Sequence, residues 1–302
     1  MQIGIPRAMS YYNFFPFWFG FFEDLGIKVV LSDKTTKETM SKGSALVVTE
    51  TCLPVKVYVG HVLNLLEKGI DKIFVPSLQS IDHKIYNCSK IRGLPDLIKN
   101  VVKKDFTIID ATLDKSEKNQ GLYEFLKEAA APFGITDEKL IKEASKAGWR
   151  TYNNFHIMSK SGMSYKKAMN YALQGKVFIE NNTKEYPISI ALVAHGYNIY
   201  DDRASMKIID KLESMDVKVH TSLQLSTEQM LEGINALGEK LYWANEFEMT
   251  GTAGHFLKDN KIDGIIALNA FGCGPDSLMV ERISRRAKQF SKPVLHLSLI
   301  HI

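Results

Sequence analysis

The chain has 302 residues, of which 45% are hydrophobic and 24% are charged, as in globular proteins with a sizeable core. A formal net charge of +4, spread along the whole length, is too small to indicate a nucleic-acid partner. The aromatic stretch at residues 11–22 is shorter than the roughly 20 apolar residues that cross a membrane, and it lacks the pattern of a signal peptide. We therefore expect a cytoplasmic protein that has no membrane partner.

Strands and helices alternate in the first part of the chain. Apolar runs predict strands at residues 2–6, 27–31, 45–48, 71–76 and 107–110. Helical patterns lie between them, at residues 11–25, 34–43 and 54–67. Such alternation is typical of a mostly parallel sheet that is covered by helices on both faces. Residues 1–112 are therefore predicted to form an N-terminal α/β lobe.

A helical segment separates this lobe from a second one. Residues 113–186 are predicted to form a helical insert, with helices at 117–133, 137–158 and 164–181. Residues 187–302 return to the α/β pattern, with strands at 188–194, 217–220, 264–268 and 293–296 and helices at 203–215 and 277–290. The prediction is an α/β fold of two Rossmann-like lobes with mostly parallel sheets. Because ligands of open α/β sheets bind beyond the carboxyl ends of the strands, we expect the site in the cleft between the lobes.

Each of the three cysteines stands where a strand is expected to give way to a helix. Cys52 and Cys273 are followed two residues later by a proline, which suits the first turn of a helix, and Cys88 precedes the Gly-Leu-Pro-Asp stretch at 93–96. Unpaired backbone N–H groups and the helix dipole favour a thiolate at such positions. The alternative is that the cysteines are small buried hydrophobic residues, but none lies in an apolar run. Their odd number argues against a disulfide framework.

The spacing of the cysteines bears on the metal that they would hold. A structural zinc site takes four protein ligands, usually in pairs such as C-x2-C, and no such pair occurs here. A fourth ligand could come from His61, His83, His195 or His255, although His61 and His83 also have an ordinary structural interpretation. Three thiolates without an obvious fourth ligand favour a [4Fe-4S] cluster with one open iron. Helix N-termini would then meet the negative charge of the cluster.

Two charged residues of the first lobe are candidates for a role in the site. Glu50 lies two residues before Cys52 and could transfer a proton, or it could simply cap the next helix. Arg7 follows the first strand and could bind an anionic group or neutralise a cluster.

Two loops of the second lobe are further candidates. His195, Tyr197, Asn198 and Asp201 form a polar turn after a buried strand, where His195 could transfer a proton and Tyr197 and Asn198 could bind a ligand. Turns also use Asn, Asp and Gly for purely structural reasons. Around Cys273 we expect Gly272, Gly274 and Pro275 to shape the loop and to direct backbone N–H groups toward a cluster sulfur.

Six segments of the chain resemble the activase-related proteins of 2-hydroxyacyl-CoA dehydratases, a family often fused to, or encoded beside, an ATP-dependent activase. These segments are residues 3–8, 50–56, 60–61, 93–96, 195–201 and 271–277. The resemblance covers nearly the whole chain and implies a relationship to dehydratase subunits and double-cubane cluster proteins. In those proteins three cysteines per unit hold a [4Fe-4S]-type cluster between α/β lobes. The resemblance therefore implies that Cys52, Cys88 and Cys273 are cluster ligands, in a single cluster or as part of a double-cubane centre.

The resemblance also implies a reaction and partners. We expect low-potential electron transfer or reduction in an anaerobic, oxygen-sensitive system, driven by an ATP-dependent activase that is a separate protein or a fused domain. The chain has no Walker loop of its own, so we do not expect it to bind ATP. A homodimer or a related cluster subunit, and an acyl-CoA substrate, are also expected. The alternatives are a 2-hydroxyacyl-CoA dehydratase-like lyase, a non-catalytic cluster scaffold for an activase, and a structural zinc protein.

The end of the chain has an unusual sequence. Residues 297–302 are a direct translation of CTG TCT CTT ATA CAC ATC, a transposon end sequence used in some sequencing adapters. In the resembling family the strand at 293–295 continues into an acidic turn and a final helix. We therefore expect residues 296–302 to be truncated or adapter-derived, and the native chain to be longer. A natural apolar strand is the alternative.

Overall fold

The structure is a computed structural model that describes residues 1–117, 120–180, 184–238, 241, 243–244 and 246–299, without the side chains of Ile81 and Asp82. The chain divides into two compact units. Unit 1 consists of Met1–Phe155 and Lys166–Phe178, and unit 2 consists of His156–Tyr165 and Ile179–Ile302. The predicted domain boundaries after residues 112 and 186 stay predictions. Among the helices of the described residues, none combines the length and the apolar character that crossing a membrane requires.

A four-stranded parallel sheet with the strand order β2-β1-β3-β6 lies at the centre of unit 1. Its strands are β1 (Gln2–Ile5), β2 (Lys28–Leu31), β3 (Lys72–Phe74) and β6 (Thr107–Ile109). They are short apolar runs because helices cover a parallel sheet on both faces. Ile3 and Ile73 accordingly have no exposed surface.

The helices of unit 1 include the aromatic stretch that follows β1. They are α1 (Tyr11–Asp24), α2 (Lys37–Leu46), α3 (Leu53–Glu67), α4 (Ser89–Arg92), α5 (Leu94–Val101) and α6 (Leu122–Ala130), while α7 (Glu138–Lys160) and α8 (Tyr165–Leu173) cross the division between the units. The rings of Trp18 and Phe22 lie 5.0 and 5.3 Å from the ring of Phe74. The aromatic stretch is therefore core that packs on β3.

Helices α2 and α3 form a closely packed pair, which corrects one predicted strand. Residues 45–48 are not a strand, because α2 begins at the capping box of Thr36 and Thr39 and continues to Leu46. A Cβ atom on Gly43 would overlap the carbonyl oxygen of Lys56. The two helix backbones therefore touch, and only glycine fits at this position.

A second, smaller sheet of unit 1 was not predicted. It has the order β5-β4-β7 and consists of β4 (Ser77–Asp82), β5 (Ile85–Tyr86) and β7 (Thr112–Asp114). Strand β4 pairs antiparallel with β5 and parallel with β7. These strands are short or polar, so they lack the apolar run that reveals a buried strand. The sheet matters for the site because only Asn87 separates the end of β5 from Cys88.

A parallel sheet with the order β11-β10-β8-β9 lies at the centre of unit 2. Its strands are β8 (Ile188–Val193), β9 (Val217–His220), β10 (Gly264–Ala270) and β11 (Val294–Leu299). The helices are α9 (Gly196–Ile199), α10 (Ile208–Ser214), α11 (Thr227–Leu237), α12 (Glu246–Lys258) and α13 (Gly274–Ala287). Strand β11 includes residues 297–299, and residues 300–302 lie outside the described residues.

The two central sheets share one topology. If the four parallel strands of each sheet are numbered along the chain, both have the spatial order 2-1-3-4. In each unit a pair of helices lies between the second and third strands, α2 with α3 in unit 1 and α11 with α12 in unit 2. The predicted α/β fold with mostly parallel, Rossmann-like sheets is confirmed.

Candidate functional site

The shared topology places the ligand-binding edge of each sheet. In the order 2-1-3-4 the chain turns in opposite directions after the first and the third strand, and ligands of open α/β sheets bind in the crevice at this switch point. In unit 1 the point lies between β1 and β3, and Arg7 follows β1. In unit 2 it lies between β8 and β10, which are followed by His195 and by Cys273. Three of the predicted site residues therefore lie at the carboxyl edges of the sheets.

Each cysteine is the N-cap residue of a helix. Cys52 precedes α3, Cys88 precedes α4 and Cys273 precedes α13, and all three have extended backbones and half-buried side chains that form no disulfide. The predicted position at a helix start is confirmed, and Cys88 and Cys273 also follow strands. Cys52 follows a turn instead, because α2 replaces the strand that was expected before it.

The structure describes the cysteines in two separate units. Cys52 and Cys88 belong to unit 1, whereas Cys273 belongs to unit 2. Within the described part of the chain, no three His, Cys, Asp or Glu side chains are grouped so that they could hold a metal ion. The three-cysteine ligand set and the position of a cluster between the lobes stay predictions. The donor chemistry nevertheless fits an iron–sulfur cluster, since thiolates at helix starts are ligands of the required kind.

Hydrogen bonds to the small sheet hold the loop that carries Cys88. Asn87 donates its backbone N–H to the carbonyl of Gln79 at 2.8 Å and its side-chain amide to the carbonyl of Leu78 at 2.9 Å. Arg92, one turn after Cys88, donates to Gln79 Oε1 at 2.8 Å, and its guanidinium lies 4.8 Å from the ring centre of Tyr86. The first turn of α4 is therefore fixed and carries a positive charge.

The Cys273 loop is fixed by its own helix. The Ser277 hydroxyl donates to the carbonyl oxygen of Cys273 at 2.8 Å and accepts from the Asn269 amide at 3.1 Å. Gly272 has a left-handed backbone with φ +78°, which only glycine adopts without strain. Gly274 is different, because a Cβ atom there would meet no other atom within 4 Å. Gly272 is therefore required by the loop geometry, whereas Gly274 is not.

A buried ion-pair network joins the two loops at the switch point of unit 2. His195 Nε2 lies 2.9 Å from Asp276 Oδ1, and His195 Nδ1 lies 3.5 Å from Glu248 Oε2. Ser222 donates its hydroxyl to the other Glu248 oxygen at 2.7 Å. Asp276 is in the first turn of α13, which begins after Cys273. The network therefore holds the Cys273 helix against the loop that follows β8.

The electrostatics of this network decide the protonation state of His195. Burial alone would lower the pKa of His195, but the charges and hydrogen bonds of Asp276 and Glu248 outweigh burial and raise the pKa to about 10. Asp276 has no exposed surface, and its Oδ2 has no hydrogen-bond partner among the described residues. At neutral pH the ring is therefore an imidazolium that donates both N–H groups. Proton transfer by His195 stays a prediction.

The rest of the turn after His195 is largely structural. Asp201 Oδ1 accepts hydrogen bonds from the backbone N–H groups of Arg203 and Ala204 at 2.9 and 3.0 Å, as expected of turn chemistry. Tyr197 is half-buried, with its ring centre 5.1 Å from that of His195. Asn198 is buried, and its Nδ2 has no hydrogen-bond partner in the described part of the chain. Ligand binding by Tyr197 and Asn198 stays a prediction.

Glu50 and Arg7 have different surroundings. Glu50 is exposed in the turn before α3, and Cys52, not Glu50, occupies the N-cap position. Arg7 is half-buried and donates its Nε–H to the backbone carbonyl of Ser32 at 2.6 Å. A catalytic role of Glu50 and a cofactor contact of Arg7 stay predictions.

Sequence reasoning missed the partners of His195. Asp276 and Glu248 lie 81 and 53 residues from His195 along the chain, and no local pattern links them to it. Asp276 carried one usable signal, since it follows Gly274-Pro275 in the first turn of a helix, where acidic residues are favoured. No sequence signal pointed to Glu248, because its helix α12 was not among the predicted helices.

A family model described as the CoA enzyme activase uncharacterised domain (DUF2229) matches residues 2–225. The chain belongs to this family. The predicted resemblance to activase-related proteins is thereby confirmed. The matched residues of this CoA enzyme activase domain include Cys52, Cys88 and His195 and end before Cys273. A comparison with curated proteins gives no match.

Proposed function

We propose that the chain is an iron–sulfur protein related to 2-hydroxyacyl-CoA dehydratases, which holds a [4Fe-4S] cluster on Cys52, Cys88 and Cys273. It would transfer low-potential electrons, or reduce a substrate, together with an ATP-dependent activase. The observation that carries this proposal is that all three cysteines of the chain are helix N-caps. When bound, such a cluster supplies one-electron chemistry, and the protein supplies binding, orientation and electrostatics.

The helix starts support the proposal because of their charge. The first N–H groups of a helix have no partner within the helix, and together with the helix dipole they favour an anion at that end. A cluster with thiolate ligands is anionic, so three helix starts suit it better than three sites within helices would. Family membership supports the activase as partner, since the family is described as a CoA enzyme activase domain.

The fixed geometry of the cysteine loops supports it further. Gln79 and Arg92 hold the Cys88 loop, and His195, with Asp276, holds the helix that begins after Cys273. Ligands that are held in place before a cofactor arrives lose little conformational freedom on binding it. His195 would therefore orient the Cys273 loop and supply a positive charge.

Electron transfer can be tested by anaerobic spectroscopy of the full chain. The purified protein is mixed with an ATP-dependent 2-hydroxyacyl-CoA dehydratase activase, and visible absorption and electron paramagnetic resonance are recorded with and without ATP. We expect ATP-dependent reduction of a cluster signal that is absent from Cys273→Ser and present in the control Ser284→Ala on the same helix. A cluster that accepts no electrons from the activase would contradict electron transfer and leave the scaffold role. No cluster signal in the wild type would defeat the whole proposal.

A further inference from the structure

In each of the two central parallel sheets, the loop after the first strand carries a cationic residue at the same position. Arg7 is the second residue after β1, and His195 is the second residue after β8. The two sheets have the same strand order, so the two residues are topologically equivalent. In unit 2 the carboxylates of Asp276 and Glu248 neutralise this cation. At the same position of unit 1, Arg7 forms no ion pair with any carboxylate of the described residues.

Arg7 has no carboxylate partner within the part of the chain that is described. Arg7 donates its backbone N–H to Ser32 Oγ at 2.8 Å and its Nε–H to the Ser32 carbonyl oxygen at 2.6 Å, and its side chain also forms a hydrogen bond with Tyr11. The guanidinium carbon lies 5.9 Å from the ring centre of Tyr11. Asp33 follows Ser32, but its carboxylate is 2.8 Å from Lys68 Nζ and 3.0 Å from Asn64 Nδ2. Asp33 and Arg7 influence each other through their charges, but no carboxylate among the described residues forms an ion pair with the guanidinium.

A buried histidine lies beside the segment after β2 that also carries Ser32. His61 has no exposed surface, and its Nε2 is 2.9 Å from Thr35 Oγ1, three residues after Ser32. Its Nδ1 has no hydrogen-bond partner among the described residues. Burial, followed by the positive charge of Arg7, lowers the pKa of His61 to about 3, so the ring is neutral at pH 7. His61 therefore adds a polar group to the site without adding charge.

The backbone at this position is strained. Met9, two residues after Arg7, is buried and has φ +50°, a left-handed conformation that non-glycine residues seldom adopt. Strained residues of this kind concentrate at ligand-binding sites, where the surrounding structure holds them in place. The strained residue therefore lies in the loop after β1, at the carboxyl edge of the sheet where the strand order predicts ligand binding.

We propose that Arg7 is the centre of an oxyanion site in unit 1, which takes a carboxylate or phosphate group of a small molecule. Arg7 presents a planar guanidinium that hydrogen bonds to Ser32 and Tyr11 hold in place, so the N–H groups not used in these bonds can bind the oxygens of an anion. An external anion would supply in unit 1 the negative charge that Asp276 and Glu248 supply in unit 2. The proposal does not require a metal on the cysteines.

The site can be tested by titrating the full-length chain with sodium acetate and with inorganic phosphate at constant ionic strength. Two resonances are followed by nuclear magnetic resonance: the Arg7 Nε–H, which Arg7→Gln identifies by its loss, and the backbone amide of Ser32, which every variant retains and which therefore gives the affinity of the Arg7 variants. We expect saturable binding of at least one anion, weakened at least tenfold in Arg7→Gln and unchanged in Arg150→Gln, which removes the same charge from an exposed helix position. Saturation by acetate alone identifies a carboxylate site, and saturation by phosphate alone identifies a phosphate site.

A second variant keeps the test decisive if Arg7→Gln fails to fold. Arg7→Lys retains the charge but loses the planar fork, so we expect it to fold and to bind the anion several-fold more weakly. Non-saturating shifts with both anions, or equal affinity in the wild type and both Arg7 variants, would overturn the proposal. The measurement observes Arg7 directly, so its outcome is independent of whether the cysteines hold a cluster.

Discussion

His195 Nε2 lies 2.9 Å from Asp276 Oδ1, and this buried contact joins the loops that follow β8 and β10 in the sheet of unit 2. The two strands are neighbours, and the chain turns in opposite directions after them. Such a switch point would otherwise be an open crevice. Here the His195 imidazolium and the Asp276 carboxylate occupy part of this crevice. Their contact also fixes the first turn of the helix that begins after Cys273.

Removal of the imidazolium should destabilise unit 2. In His195→Gln, Asp276 becomes a buried carboxylate without its ion-pair partner, and breaking a buried pair in this way costs roughly 3–5 kcal/mol. The double variant with Asp276→Asn should recover part of the loss, because both side chains are then neutral. Hydrogen exchange of α13 measures the change. Arg285→Gln, which breaks an exposed pair with Glu281, should change the stability by less than about 1 kcal/mol.

The stability of unit 2 should fall at alkaline pH. His195 has an ordinary pKa of 6.5 when unfolded and a pKa of about 10 when folded, so the folded state holds one more proton between these values. The stabilisation is complete below pH 6.5 and is lost as the pH rises toward 10. Over this interval the slope should be about 1.4 kcal/mol per pH unit. The pH profile of His195→Gln, subtracted from that of the wild type, isolates this contribution, and identical profiles would contradict it.

The stability of unit 1 should fall at acid pH. Burial, followed by the charge of Arg7, keeps the pKa of His61 at about 3, against an ordinary 6.5, so only the unfolded chain takes up this proton between those values. Stability should therefore fall as the pH falls below 6.5. His61→Gln, which keeps a polar group beside Thr35, should flatten this acid limb. Thermal unfolding of both proteins from neutral to acid pH measures the difference.

The glycine contact between α2 and α3 should tolerate no larger side chain. In Gly43→Ala the new methyl group would overlap the Lys56 carbonyl, and the two backbones would have to move apart. Overpacking of this kind costs about 1–3 kcal/mol, and backbone contact should place this case at the upper end. Gly274→Ala is the control, since its new methyl group would meet no atom within 4 Å. Equal melting temperatures for the two variants would contradict the close packing.

The sequence predicted the elements that bury apolar runs and missed those that do not. Strands β1 and β8 are mostly apolar and were predicted, whereas β4 and β5 are polar or very short and were missed. The apolar run at residues 45–48 wrongly indicated a strand, because a capping box and the contact at Gly43 favour a helix that continues to Leu46. Tertiary contacts decided the structure of this segment, and a local pattern does not contain them.

The candidate site was likewise predictable from the sequence only in part. The prolines after Cys52 and Cys273 marked two helix starts, because proline suits the first turn of a helix. The protonation state of His195 was not predictable, since it depends on Asp276 and Glu248 from distant parts of the chain. Local backbone chemistry is therefore readable from sequence, whereas buried electrostatics require the fold.

The most direct test of the proposed function is the metal content of the chain after anaerobic purification. Iron, acid-labile sulfide and zinc are measured in the wild type, in Cys52→Ser, Cys88→Ser and Cys273→Ser, and in the control Ser284→Ala. We expect about four irons and equal sulfide per chain in the wild type and the control, and loss of both in each cysteine variant. About eight irons would indicate a double-cubane centre. Zinc alone, or no metal in any of the proteins, would contradict the iron–sulfur assignment.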